Sequence, residues 1–368
     1  MRATRIIHIV GLCVLILVLL TFPLFASEFF VVQIGIQSLF LGIVALSLTF
    51  LAGYGGMLSL TQVALYGSAG YTLAIITVTY GLPWFVGVVA ALIVSTLLAA
   101  IFALIAVRTQ GIYFLMITLA EAMLVFYYTE QDRILTNGHT GINGIRSPTI
   151  GSLVMGDPTA FYYVTLAVAV LVYLAMRYLA RSPFGLSLQG IRDNGRRAQS
   201  LGYHVFAHRV AAFTLAGLVA GIGGILGTWY NGAISPGAVD LTRTINLLVI
   251  AVLGGLVFFE GAFVGALFFT LITNFASSFT DRFNTIIGLA FLLVALLFPN
   301  GLIGLSNKAI QLVTRTLLQN KEGLVAFQST SNPPNAVISS EGTTSDSISS
   351  GKQFMTASVK PEEREDQQ

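Results

Sequence analysis

The sequence has very little charge and almost no cysteine. Of its 368 residues, 10% are Asp, Glu, Lys or Arg and 55% are hydrophobic, and the mean hydropathy is +0.82. Soluble domains carry about 25% charged residues, so this chain has far more apolar surface than one water-exposed fold can bury. Its one cysteine, Cys13, excludes a disulfide or a cysteine-based metal site within the chain.

Motifs for catalysis are also missing. The sequence contains no G-x-x-x-x-G-K-[ST] phosphate loop, and its four histidines belong to no metal-binding or nucleophile motif. We therefore expect no enzyme activity and no cofactor or metal in this chain. If it takes part in ATP-driven transport, ATP and Mg bind to partner subunits.

Long apolar runs fill most of the sequence. Runs of about 20 apolar residues are long enough to cross about 30 Å of hydrocarbon as helices. The sequence therefore predicts an all-α, polytopic helical membrane protein with about ten transmembrane helices. The predicted spans are about 6–25, 31–51, 61–80, 85–107, 112–129, 161–180, 210–230, 244–259, 261–279 and 284–298.

The positions of Lys and Arg predict the orientation of these spans. With a cytoplasmic N-terminus, fifteen basic residues lie inside, and only Arg133, Arg146, Arg243 and Arg282 lie outside. Without the six basic residues after position 300, the ratio is nine to four, and the positive-inside rule favours the same orientation. We expect cytoplasmic N- and C-termini and an external loop from Glu130 to Thr159.

The two ends of the chain differ from its middle. Residues 1–30 contain Arg2, Arg5 and an apolar run without an A-x-A site, which favours a retained signal-anchor helix over a cleaved signal peptide. Residues 31–307 form the membrane domain. Residues 308–368 are rich in Ser, Thr, Asn and acidic residues, which predicts a largely disordered cytoplasmic tail.

Basic residues are concentrated in the loop 181–209, which has five arginines and one acid, Asp193. Pro183 ends the preceding helix, Gly185 relieves the turn, and IRDNGRRAQSLG predicts one short amphipathic helix. Its apolar face is expected to hold Ile191, Ala198 and Leu201. This helix is either a docking element for a partner or an anchor that only keeps the loop in the cytoplasm.

Polar residues inside the spans are few. Glu121 is the only clear mid-span acid, which argues against an ion-coupled carrier without excluding one. Ser59, Thr61, Gln62 and Glu121 are candidates for a translocation path, and hydrogen bonds between helices are the alternative. Two groups of glycines favour close helix packing over solute contact, and G-x-x-x-G spacing occurs in the second of them, at 217/221 and 223/227. The groups are Gly53, Gly55, Gly56, Gly67 and Gly70, and Gly217, Gly221, Gly223, Gly224 and Gly227.

Several segments resemble the membrane subunits of branched-chain amino acid ABC importers, the LivM type. These segments, in the order and spacing of that family between about 30 and 305, are LAGYGGMLSLTQVALYGSAGYT from Leu51, RTQGIYFLMITLA from Arg108, NGHTGINGI from Asn137, RSPFGLSLQGIRDNGRRAQSLGYHVFAHRVAAFTLAGLVAGIGGIL from Arg181, ISP at Ile234 and VLGG at Val252. Each segment alone is weak, but the set is highly specific.

The resemblance implies a permease of the prokaryotic inner membrane. Its expected partners are a second permease subunit, two cytoplasmic ATPase subunits and an external solute-binding protein that delivers a branched-chain or related amino acid. The resemblance assigns ATPase coupling to Gly185, Arg192, Asp193, Asn194, Arg196, Arg197, Ala198, Leu201 and Gly202. It assigns contact with the binding protein to Asn137, Thr140, Gly141 and Asn143.

Some positions depart from the usual pattern of that family. Arg196 and Arg197 replace acidic or small residues, Gln62 replaces a histidine, and Ala262 replaces a proline close to an unusual acid, Glu260. A sister group with similar motifs carries urea and short amides, so a permease for these solutes is the alternative. An ion-coupled carrier and a structural or signalling membrane subunit also remain open.

The spans form two groups that suggest an internal repeat. Four spans lie between 31 and 129 and four between 210 and 298, and the two groups begin on opposite sides of the membrane. The resemblance also implies such an inverted repeat.

Overall fold

A computed structural model describes residues 30–150, 153–154 and 156–279. It also describes the isolated positions Thr21, Pro23, Thr285, Gly288, Leu289, Leu292 and Gly301. Apart from these positions and residue 30, the predicted anchor (1–30), the last span (284–298) and the tail (308–368) lie outside the described residues.

Helices make up nearly all of the described chain. The α-helices are α1 (Gln37–Gly55), α2 (Gln62–Ala74), α3 (Trp84–Ala106), α4 (Ile112–Gln131), α5 (Pro158–Arg181), α6 (Pro183–Asp193), α7 (Gly195–Ser200), α8 (Val205–Asn231), α9 (Leu241–Gly254) and α10 (Phe259–Phe279). The π-helical segments Val31–Ile36 and Ile75–Thr79 extend α1 and α2, and 3₁₀ turns occur at Gly138–Thr140 and Pro236–Ala238. The strands are β1 (Ile142–Asn143), β2 (Thr149–Ile150), β3 (Leu153–Val154) and β4 (Ala233–Ile234).

The structure confirms the helical membrane fold. Each of the eight predicted spans between 31 and 279 coincides with one of these helices. Among the described residues, six helical stretches are long and apolar enough to cross a membrane. Two predicted ends were wrong: α8 begins at Val205 rather than 210, and α9 ends at Gly254 rather than 259. Gly255 ends α9 because its φ of 106° is incompatible with a continuing helix.

Proline and glycine set most of the other helix ends. Pro83 precedes α3, while Pro158 and Pro183 lie in the first turns of α5 and α6. A backbone N–H in the first turn has no partner within the helix, so its absence in proline breaks no helical hydrogen bond. Gly56 and Gly232 adopt the left-handed conformation just after α1 and α8.

The core is built around α8, which packs against α1, α2 and α3. Small residues allow this close contact. A side chain at Gly217 would collide with Ala99 of α3, and one at Gly224 would collide with the backbone of Tyr66 in α2. The prediction that these glycines serve helix packing is therefore confirmed at these two positions.

The helix contacts follow the predicted repeat. The first group is α1 to α4, and the described part of the second group is α8 to α10. In both groups the second helix packs against the third, α2 on α3 and α9 on α10. The third helix of each group also packs against the first helix of the other: α3 on α8, and α10 on α1. The two groups are thus interlocked.

Contacts between loops define two opposite faces of the bundle. Arg192 of α6 and Arg209 of α8 lie beside the end of α1 and the turn between α3 and α4. We call this side the basic face. On the other side β1, after α4, pairs antiparallel with β4, after α8, with Ile142 opposite Ile234. We call this side the loop face. The helix α1 ends on the basic face and α8 begins there, so the two groups run in opposite directions.

Candidate coupling segment and translocation path

The segment from Arg181 to Arg209 lies on the basic face. α5 ends at Arg181, and Ser182 caps α6 by accepting a hydrogen bond from the Gly185 backbone N–H at 3.4 Å. Gly185 lies within α6 and does not relieve a turn as predicted. Instead, its lack of a side chain lets α6 approach the last carbonyls of α5, because a Cβ there would overlap the oxygens of Leu179 and Ala180.

The predicted single helix from Ile191 onward was wrong. The chain forms two helices, α6 and α7, with a break at Asn194, whose φ of −155° and ψ of 94° are extended. The Asn194 side chain caps α7 by accepting a hydrogen bond from the Arg197 N–H at 3.0 Å. Asn-Gly at 194 and 195 is a strong turn signal. It divides the segment because the Asn194 side chain can cap a second helix and satisfy a free backbone N–H in the first turn of that helix.

A small apolar cluster holds this segment together. Ile191, Ala198 and Val205 are buried against one another. Leu201 was expected on the same face, but 72% of its surface is exposed. α7 ends at Ser200, so Leu201 lies beyond the helix whose buried face holds Ala198. Gly202, with a φ of 89°, follows α7, and Arg196 and Arg197 are exposed on the basic face.

Arg192 connects this segment to the helix bundle. Its Nη1 donates a hydrogen bond to the carbonyl oxygen of Gly53 near the end of α1, and its Nε and Nη2 each lie 2.9 Å from Asp193 Oδ1. Gly56 makes room for it, since a Cβ at that position would collide with the Arg192 side chain. Arg192 thus places α6 in direct contact with the end of α1.

A cavity of about 260 Å³ lies beside Arg192 on the basic face. Arg209 contributes to its wall, and so do Leu58, Phe114 and Leu115 at its inner end. This cavity leads toward the predicted path residues, because Leu58 directly precedes Ser59 and Leu115 lies one turn before Thr118 on α4.

The four predicted path residues come together between α1, α2 and α4. Thr61 Oγ1 lies 3.1 Å from Glu121 Oε2 and 3.1 Å from the carbonyl oxygen of Thr118. Ser59 Oγ accepts a hydrogen bond from the Thr61 backbone N–H at 3.2 Å. On the other side, Ser47 Oγ lies 2.9 Å from Gln62 Oε1. We call these six residues the buried polar cluster: Ser47, Ser59, Thr61, Gln62, Thr118 and Glu121.

Sequence reasoning missed Ser47 and Thr118. A lone Ser or Thr in an apolar span usually bonds to its own helix, as Ser47 does to the Val44 carbonyl at 2.6 Å and Thr118 to that of Leu115 at 3.0 Å. Thr118 precedes Glu121 by three residues, so the two share one face of α4. That spacing was the available signal.

A second cavity, of about 120 Å³, lies between α1, α2, α8, α9 and α10. Tyr230, Asn231 and Arg243 line it near the loop face, whereas Val44 and Val63 line it next to Ser47 and Gln62. The buried polar cluster thus lies between the inner ends of two cavities on opposite sides of the bundle.

The loop after α4 carries the predicted contacts for a binding protein. Asn137, Thr140 and Asn143 are exposed, but Gly141 is buried and leaves no space for a side chain beside the Ile234 carbonyl. Gly141 thus allows β1 to pair with β4 and offers no surface for a partner. The loop starts at Asp132, which accepts hydrogen bonds from the backbone N–H groups of Ile134 and Leu135. Both bonds lower the pKa of Asp132, and the bond from Ile134 has the larger effect.

Glu260 is the second residue of α10. Its Oε1 accepts hydrogen bonds from the Tyr173 hydroxyl at 2.5 Å and from Arg177 Nη1 at 3.1 Å. Arg177 Nη1 also donates to the Tyr173 hydroxyl. These bonds join α5 to the start of α10 near the basic face.

Comparison with known proteins identifies the family of this bundle. Residues 30–298 match the family described as "Branched-chain amino acid transport system / permease component". The chain belongs to this permease family. The match covers every helix from α1 to α10, so the chain is a membrane permease component, and the predicted resemblance is confirmed.

The sequence identity to individual relatives is low, but the two LivM proteins match about three quarters of this chain. The chain is 24% identical to the high-affinity branched-chain amino acid permease protein LivM of Salmonella typhimurium, over 76% of this chain and 72% of the relative. It is 23% identical to LivM of Escherichia coli, over 73% and 69%. It is also 28% identical to the guanosine ABC transporter permease protein NupQ of Bacillus subtilis, over 44% and 49%. Permeases of this family therefore differ in their solutes. No solved structure matches the chain significantly.

Proposed function

We propose that this chain is the permease subunit of an ATP-driven importer that brings a branched-chain or related amino acid into the cytoplasm. A second permease subunit, two cytoplasmic ATPases and an external solute-binding protein complete the transporter, and ATP and Mg bind to the ATPases. The protein spans the inner membrane of a prokaryote several times, with both termini in the cytoplasm. The family match over residues 30–298 supports the transport role.

The link between Arg192 and Gly53 supports coupling at the basic face. The segment 181–209 exposes two short helices that an ATPase can contact, and Arg192 connects them to α1. A rigid-body movement of the ATPases would then shift α1 against its neighbours. Seven described arginines lie at the basic face, at positions 108, 177, 181, 192, 196, 197 and 209, and three lie at the loop face, at 133, 146 and 243, which supports a cytoplasmic basic face.

The exposed residues of the loop face support contact with the binding protein. Asn137, Thr140 and Asn143 surround the pairing of β1 with β4, which joins the loops that follow α4 and α8. A protein bound here would contact both halves of the repeat at once.

The experiment that tests this function is reconstitution. The chain is co-purified with the candidate second permease and ATPases and placed in proteoliposomes, and uptake of labelled leucine, guanosine and urea is measured with the binding protein and ATP. We expect uptake that requires ATP and all subunits. Uptake by the lone chain under an ion gradient indicates a secondary carrier, and no uptake in any combination indicates a structural or signalling subunit.

The cargo has two alternatives, and the same assay separates them. The relatives NupQ and the Lactococcus lactis nucleoside permease NupC, 29% identical over 28% of this chain, favour testing a nucleoside. The departures at Gln62 and Glu260 favour testing urea and short amides. ATP-dependent uptake of one of these solutes, without uptake of leucine, would replace the amino acid as cargo and leave the ABC permease role in place.

A further inference from the structure

The buried polar cluster contains two polar atoms that bond to nothing among the described residues. They are Oε1 of Glu121 and Nε2 of Gln62. Glu121 is 6% exposed and Gln62 is fully buried, so bulk solvent has little access to either side chain. A buried polar group without a hydrogen bond costs about 1–3 kcal/mol, so two in one cluster represent a substantial free-energy cost.

The two atoms have opposite hydrogen-bonding character. A carboxylate oxygen only accepts hydrogen bonds, whereas an amide nitrogen donates them. The other oxygen of each side chain shares a hydroxyl donor with a backbone carbonyl: Glu121 Oε2 lies 3.1 Å from Thr61 Oγ1, and Gln62 Oε1 lies 2.9 Å from Ser47 Oγ. These bonds fix both side chains and leave one acceptor and one donor available.

No described cation satisfies Glu121. The described ion pairs involve Glu130, Asp193 and Glu260, and none involves Glu121. A buried carboxylate is stable only when it is paired with a cation or protonated. The cluster therefore has the chemistry to receive a positive group.

The position of the cluster gives a solute two ways to reach it. Ser47 bonds to the carbonyl of Val44, which lines the loop-face cavity, and Thr118 bonds to the carbonyl of Leu115, which lines the basic-face cavity. The cluster residues line neither cavity themselves, but Val44 and Leu115 each lie about one helical turn from a cluster residue on α1 and α4. A site that opens to opposite sides in turn is what transport by alternating access requires.

We infer that Glu121 and Gln62 form a recognition site for a zwitterionic solute, in which Glu121 Oε1 accepts a hydrogen bond from the ammonium group and Gln62 Nε2 donates one to the carboxylate. This inference rests on the proposed transport function and adds the residues that recognise the cargo. It also distinguishes cargo classes, because urea and nucleosides carry no cationic group at neutral pH.

The test uses the complete transporter in proteoliposomes, with the variants Glu121→Gln and Glu121→Asp. Uptake of labelled leucine and hydrolysis of ATP stimulated by the binding protein are measured together. Glu121→Gln keeps the size of the side chain and removes its charge, so leucine taken up per ATP hydrolysed should fall about tenfold or more. Glu121→Asp keeps the charge and should retain more uptake than Glu121→Gln.

The matched control is Thr165→Ala on α5. Thr165 is fully buried, and its hydroxyl bonds only to the Phe161 carbonyl of its own helix, at 2.8 Å. This variant should transport leucine at the wild-type ratio to ATP. A structural role for Glu121 would lower assembly or ATP hydrolysis as well as uptake, whereas a role in recognition lowers the ratio alone.

The outcomes separate this inference from the proposed function. If Glu121→Gln leaves leucine uptake per ATP unchanged, the recognition site is overturned, but the proposed importer function stands. ATP-dependent uptake of guanosine or urea, with no uptake of leucine, also overturns the recognition site and leaves the ABC permease role in place. Absence of ATP-dependent uptake of all three solutes overturns the proposed function itself.

Discussion

Arg192 donates a hydrogen bond to the backbone carbonyl of Gly53 across 139 positions of sequence. This bond joins the α6 and α7 segment to α1, the helix that contributes Ser47 to the buried polar cluster. Because a carbonyl near a helix end has no partner within its helix, a guanidinium is well suited to satisfy it. This bond is the contact on which the proposed coupling role of Arg192 rests.

Replacing Arg192 by Ala should impair coupling. The variant loses charge-assisted hydrogen bonds, each worth about 1.5–3 kcal/mol, so ATP-driven uptake should fall about tenfold. Reconstituted uptake and co-purification with the ATPases are measured in parallel. The control is Thr159→Ala, an exposed residue in the first turn of α5, at the end of that helix away from the basic face. Wild-type uptake by Arg192→Ala would remove the proposed coupling role of this residue.

Gly56→Ala should destabilise the protein. The left-handed backbone at Gly56, with a φ of 64°, costs a side chain about 1–3 kcal/mol, and its Cβ would also displace Arg192. Gly190→Ala is the control, because Gly190 lies in α6 with open space around it, and there Ala should be neutral or stabilising by up to about 1 kcal/mol. Thermal unfolding in detergent measures both. An unchanged midpoint for Gly56→Ala contradicts the expected strain.

The bonds of Glu260 predict measurable coupling between α5 and α10. Arg177 and Glu260 are 37% and 44% exposed, so their ion pair should contribute about 1 kcal/mol or less. A double-mutant cycle with Arg177→Met and Glu260→Gln measures this coupling from unfolding free energies. Additive effects of the two substitutions would show that the pair contributes nothing to stability.

Asn143→Arg should weaken docking of the binding protein. Asn143 is exposed beside the pairing of β1 with β4, so a long charged side chain obstructs the surface without disturbing the fold. Stimulation of ATP hydrolysis by the binding protein should fall several-fold while basal hydrolysis stays constant. Asn143→Gln, which keeps the amide, is the control. Full stimulation in the arginine variant would place the docking surface elsewhere.

Hydropathy predicted the helices well because membrane spans are determined by their length and apolar content. All eight predicted spans within residues 31–279 coincide with helices, and the larger errors occurred where a local backbone preference decides the end. Gly255 ends α9 early through its positive φ, and the Asn194 cap divides the basic segment into two helices. Leu201 was misplaced because its predicted face assumed a helix that continues past Ser200.

The candidate path was only partly predictable. Glu121 and Gln62 stand out as polar residues in an apolar sequence, but their partners depend on how α1, α2 and α4 pack. Ser47 precedes Gln62 by fifteen positions, and Thr118 follows Thr61 by fifty-seven, so no local pattern joins them. Tertiary packing alone identifies which polar atoms are satisfied and which remain available.

The interlocked repeat has a consequence for how the protein is made. Because α3 packs against α8, the packing surface of α3 stays incomplete until residues 205–231 have been synthesised and inserted. The first four helices must therefore remain in the membrane with small-residue surfaces uncovered for as long as the next hundred or so residues take to emerge. A ribosome-bound chain that ends before α8 should be degraded faster than one that ends after it.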